Sequence, residues 1–198
     1  MLPVFQRGRT PALRRLHAVG PGTRNEQRCA LDDRDALRRP PLMRGDKTHP
    51  EGDFTVALQH PSCKLPADRC RRVLTHVLSA EGVTARHLVL VVAGRETVQD
   101  LHRRYRACDE PTDVLAFDYH PEEEKAGKRV VDGEIYIDFD TARERCREFG
   151  VDAEEEAMRY AIHGLLHLIG YLDKTPAEKA KMHALEDRYL HATRHSSS

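Results

Sequence analysis

Apolar and polar positions alternate along this chain in stretches that change period several times. Phe54–Leu58 alternates with a period of two and predicts an edge strand. Over Pro66–Ser79, Cys70, Val73, Leu74, Val77 and Leu78 recur at helical spacing, and Glu81-Gly82 closes that helix. His87–Ala93 is an apolar run that suits a central strand, and Glu96–Tyr105 predicts a helix through Val98, Leu101 and Tyr105. Val114–Phe117 and Glu134–Phe139 predict two more strands, and Thr141–Phe149 a short helix ended by Gly150. Asp152 and Glu155 form a capping box for a helix to Ile169, which Gly170 stops. Thr175, Pro176 and Glu178 open a last helix to about His191, with Met182, Leu185 and Tyr189 on one face. Strands and helices in this irregular order predict an α+β fold: a small mixed sheet packed with helices.

Residues 1–52 show no such pattern. Gly, Pro and Arg interrupt every short apolar run, so this stretch is expected to be a disordered basic extension, with the folded domain over 53–198. It carries 11 basic and 6 acidic residues. Met1–Gly20 has no apolar core of a secretory signal, and the absence of Ser from 1–52 weakens an organellar transit reading. An RNA-tethering arm and an over-extended reading frame, with the start nearer Met43, both stay open.

Composition narrows the function classes. The 198 residues hold 32 basic and 32 acidic side chains, which excludes a globally basic nucleic-acid binder but not a local basic patch. Trp is absent and aromatic residues are 6%, which argues against a base-stacking platform. The mean hydropathy of −0.64 and the lack of a long apolar run predict no membrane span. Five scattered cysteines without a CxxC pair predict thiols in a reducing compartment and no disulfide partner.

The candidate chemistry gathers at the end of the helix predicted to reach Ile169. His163 and His167 are four residues apart, so both imidazoles leave one helix face a turn apart. Leu165, Leu166, Leu168 and Ile169 surround them, and unpartnered imidazoles in such surroundings are costly. Gly170 then lets the chain turn back through Tyr171 and Leu172, which can bring Asp173 alongside. Two histidines and a carboxylate leave one position open on a tetrahedral Zn2+, the pattern of a catalytic zinc site. Satisfied core histidines are the competing reading, and His183 is the competing third ligand. His183 is expected to be exposed, one residue off the Met182/Leu185/Tyr189 face. Gly164 stands where HExxH metalloproteases carry their general-base Glu, which disfavours a zinc protease.

The string His163-Gly-Leu-Leu-His167-Leu-Ile-Gly170-Tyr171 resembles the HGxLHLxGY motif of the YbeY family of bacterial metal-dependent endoribonucleases. Arg103-Arg104-Tyr105-Arg106 with Pro111–Phe117 is similar to that family's YRxxDxPTDVLSF segment. Gly133–Ile137 is similar to its GDI strand, and Glu186-Asp187 fits its tail. The resemblance covers about residues 54–190. It implies one zinc per chain, a cytoplasmic location, and cleavage of single-stranded RNA in 3′-end maturation of small-subunit (16S) rRNA. It further implies late ribosome quality control, with precursor rRNA and the small ribosomal subunit as partners. Metal ligands would be His163, His167 and Asp173, the last standing where most members carry a third His. Arg106 and His163 would be the catalytic residues, Arg106 by holding the scissile phosphate bidentately. A ribosome-associated assembly factor with a mainly structural metal is the alternative.

Overall fold

The computed structural model describes residues 16–19, 53–119 and 130–194. In chain order the elements are β1 (Leu16–Val19), β2 (Asp53–Leu58), α1 (Ala67–Ala80), β3 (Thr84–Ala93), α2 (Arg95–Arg106), β4 (Val114–Asp118), β5 (Val130–Asp138), α3 (Phe139–Phe149), α4 (Ala153–Ile169) and α5 (Pro176–Arg194). The five strands form one sheet in the order β1-β4-β5-β3-β2. β2 and β5 flank β3 in parallel, whereas β4 runs antiparallel to both β5 and β1. This is the expected α+β architecture, with a mixed sheet and helices on both faces.

The pleat divides the core in two. Leu88, Leu90 and Leu-sized neighbours Ile135 and Ile137 point to the face covered by α1, α4 and α5. Val89, Val91, Leu115, Phe117 and Tyr136 point to the other face, where α2 lays Val98 and Leu101 against them. Each buried apolar side chain of this kind contributes roughly 1.5–3 kcal/mol by leaving water. The larger cluster lies under α4, which makes that helix the best-anchored support for a site.

Helix ends follow the local code. Asp152 caps α4 by accepting from the Glu155 amide at 2.6 Å. Thr175 and Glu178 close a reciprocal capping box on α5, at 2.8 and 3.2 Å. The last expected strand differs at its end: Phe139 begins α3 and does not extend β5. The reason is Asp138, whose carboxylate accepts from the amides of Asp140 and Thr141 and so starts the helix one residue on.

One short strand arises within the stretch read as disordered. Leu16–Val19 pairs antiparallel with Phe117–Val114 and gives the sheet its edge beside β4. The rest of 1–52 lies outside the described residues, so the division at residue 52 remains a working proposal. Among the described residues no helix is long and apolar enough to cross a membrane. The four described cysteines, Cys63, Cys70, Cys108 and Cys146, are free thiols, and burial pushes the Cys70 thiol up to about 12.

Candidate metal centre

Helix α4 sits close to the sheet because position 164 has no side chain. A Cβ there would fall 2.7 Å from Ile135 Cγ2 and 3.1 Å from Val114 Cγ2. A Glu at 164 would therefore point into the sheet, not toward His163 and His167. That is the physical reason the chain carries no HExxH base: the residue between the two histidines is the packing contact. Gly133 on β5 plays the matching part, since a Cβ there would collide with the Phe117 carbonyl and press on Leu168.

With the helix so placed, the two imidazoles meet. His163 Nε2 and His167 Nε2 stand 2.8 Å apart, with ring centroids at 4.5 Å. Gly170, in the left-handed region at φ 107°, ends α4 and turns the chain back. Asp173 then comes within 3.9 Å of His167 Nε2. The ligand atoms of His163, His167 and Asp173 all lie within 4.8 Å of one another. Both histidines are buried, whereas the Asp173 side chain keeps 23% of its surface, so the cluster opens toward solvent on the Asp173 side. The turn itself is anchored: the Tyr171 hydroxyl donates to Glu81 at 2.8 Å, and the Tyr189 hydroxyl of α5 donates to the same carboxylate.

The donor set fits a cation. His167 Nδ1 lies 3.0 Å from the Tyr171 carbonyl oxygen, which can only accept, so Nδ1 carries the proton. His163 Nδ1 lies 2.6 Å from Glu186 Oε1, again an acceptor. Both Nε2 atoms are then left with lone pairs, 2.8 Å apart and next to a carboxylate. Three electron-rich atoms facing one another would suit a cation between them, and two N and one O fit the donor preference of Zn2+.

Glu186 is the residue that periodicity missed. It is 1% exposed and lies on the inward face of α5 with Met182 and Tyr189. Burial opposes its charge, but His163, His183 and Arg159 outweigh that and hold its pKa below the ordinary range. An acid four residues after Met182 and three before Tyr189, inside an apolar stripe, was the available signal. Asp113 was also missed. It lies at the start of β4, 3.5 Å from Arg145, and burial pushes its carboxyl up to about 6 although His163 and Arg145 pull the other way.

The other expected residues are placed as follows. His183 is exposed, with 68% of its side chain in solvent, and is not one of the three clustered ligands. Arg106 ends α2, half-buried, on the opposite face of the sheet from α4. Its charge helps depress His102, whose burial is the larger cause. From there residues 107–113 lead to Asp113, which feels the charge of His163. The basic stripe beside it is partly neutralised within the chain: Arg103 pairs with Asp109 at 2.8 Å and Arg104 with Asp100 at 2.7 Å.

Fold and site together define an α+β domain with two histidines on a central helix and a carboxylate from the turn that follows it. The family model described as "Endoribonuclease YbeY" matches residues 57–194. The chain belongs to the YbeY family. It is 43% identical over 143 residues to the endoribonuclease YbeY of Salinibacter ruber, spanning 70% of this chain and 90% of that one. The Chloroherpeton thalassium endoribonuclease YbeY is 33% identical, over 67% of this chain and 89% of the relative. A solution structure from Thermotoga maritima aligns with a TM-score of 0.48 and 24% identity, over 71% of this chain and 88% of that one.

Proposed function

We propose that this chain is a zinc-dependent endoribonuclease that cuts single-stranded RNA in 3′-end maturation of small-subunit rRNA. The reading includes a cytoplasmic setting and the small ribosomal subunit as partner. The observation that carries it is the convergence of His163, His167 and Asp173 on one half-open point, in a chain whose family is an endoribonuclease family. Those three residues would hold one zinc and leave a position for substrate oxygen. A bound zinc would supply Lewis acidity toward the phosphodiester and a more acidic water. Arg106 ends α2 across the sheet, where the chain that follows leads back to Asp113 beside His163, and from there it would hold an RNA phosphate and offset the charge that builds up on its oxygens. The leucines and Ile162 around α4 keep bulk water from the buried side of the centre, which strengthens each charge interaction there.

The decisive experiment incubates the full chain with single-stranded and duplex RNA and with precursor rRNA. Cleavage of the single strand that stops with chelator and returns with zinc supports the reading. RNA binding without cleavage at any metal load would instead make the chain an assembly factor.

A further inference from the structure

We propose that Glu186 is the positioning residue that sets the tautomer and the aim of His163. Its two oxygens have separate tasks. Oε1 accepts from His163 Nδ1 at 2.6 Å, whereas Oε2 faces Arg159 at 3.3 Å and His183 Nδ1 at 3.3 Å. A carboxylate engaged at both ends cannot swing away from the ring. Arg159 stands one turn before His163 on α4 and also grips Asp187 at 2.7 Å, so it ties α5 to α4 at the height of the metal ligand. Met182, Tyr189 and Leu190 bury the same face of α5 and fix its depth.

The alternative tautomer shows why this matters. With its proton on Nε2, His163 would donate to His167 Nε2, only 2.8 Å away. The two rings would then satisfy each other, and the centre would close on itself without an ion. Glu186 holds the proton on Nδ1 and so keeps both Nε2 lone pairs directed at the shared point. His167 needs no such side chain, because the Tyr171 carbonyl of its own turn does the same for it. The inference rests on the zinc reading for its consequence, but the tautomer itself belongs to the metal-free protein.

The test uses the full chain labelled with 15N-histidine. Nitrogen shifts and couplings report the His163 tautomer without metal, and competition with a chromophoric chelator reports zinc affinity. Wild type should show Nδ1–H. Glu186→Ala should shift His163 toward Nε2–H and weaken zinc by about 10–100-fold. Glu186→Gln preserves shape and an acceptor, so it should keep the tautomer yet weaken zinc several-fold, because the negative charge that raises ring basicity is gone. Lys179→Ala, at an exposed position of the same helix α5, should leave tautomer and affinity near wild type. An unchanged tautomer in folded Glu186→Ala overturns the proposal. Should that variant not fold, an unchanged His163 tautomer in Glu186→Leu, which fills the space without an acceptor, overturns it equally. Wild type that binds no zinc would sink the metal reading, while the metal-free tautomer would still decide the role of Glu186.

Discussion

Two histidine–aspartate clusters in this fold differ in what they leave over. At the C-terminal ends of the parallel strands, His60 donates through Nε2 to Asp140 at 3.1 Å and accepts the Ser62 amide on Nδ1 at 3.2 Å. Asp140 takes the Arg95 amide at 3.0 Å on its other oxygen, and Arg95 reaches Asp138, Thr141 and Glu144. Both ring nitrogens of His60 and both oxygens of Asp140 have partners there, so the cluster is a closed brace between the start of α2 and the start of α3. On α4 the arithmetic fails: both Nδ1 protons are used and both Nε2 lone pairs converge beside Asp173. The same residue types build a strut in one place and a candidate ligand site in the other. What separates them is the balance of protons against lone pairs, not the presence of His and Asp.

The largest expected effect tests that contrast directly. His163→Ala should abolish zinc binding and RNA cleavage, since two remaining ligands cannot hold the ion. His60→Ala, made in the closed cluster, should keep full zinc stoichiometry and cost only stability. Metal analysis and a cleavage assay on both variants check this, and zinc retained in His163→Ala would erase the distinction.

Asp173 comes next. Asp173→Ala should lower zinc affinity by at least 100-fold, whereas Asp173→His should retain zinc because imidazole is an equally good ligand. His183→Ala should retain it as well, as this ring lies in solvent. Loss of zinc in His183→Ala together with full occupancy in Asp173→Ala would reverse the ligand assignment.

Arg106→Ala should reduce cleavage about 10-fold or more at unchanged zinc content, because its proposed partner is phosphate. Unaltered kcat/KM in the folded variant removes Arg106 from the mechanism.

A smaller effect belongs to the closed cluster. The Arg95 amide, with help from His60 and Arg95, holds the Asp140 carboxyl below the usual carboxylate range. A depressed folded pKa contributes stability that is present above the unfolded value and lost as pH falls through the folded one. Asp140→Asn should therefore lower Tm at neutral pH by a few degrees, and the difference should narrow as pH falls below the ordinary carboxylate range. A Tm difference that stays constant from pH 7 to pH 3 would show that the charge of Asp140 has no part in the brace. The smallest change is expected from a chain beginning at residue 53. Among the described residues it loses only the short β1 pairing, so zinc stoichiometry and fold should persist with a modest drop in Tm, read by circular dichroism; a large loss of stability would make residues 1–52 part of the domain.

Much of this protein was legible in its residue order, and the reason is range. Capping by Asp152 and Thr175, termination by Gly150 and Gly170, and the shared face of His163 and His167 all depend on atoms within a turn of each other. Spacing records such relations directly. Asp173 was within reach for the same reason, being only six residues past His167 and on the far side of a glycine. The order β1-β4-β5-β3-β2, the edge strand from Leu16–Val19 and the opposite placement of α2 and α4 were not legible. Nor was the pairing of His163 with Glu186, 23 residues away. These depend on which helix covers which face and how deeply it seats, and Gly164 against Ile135 sets that depth for α4. Local chemistry thus named the candidate ligands, and long-range packing alone decided what holds the His163 ring in place and turns the cluster toward one point.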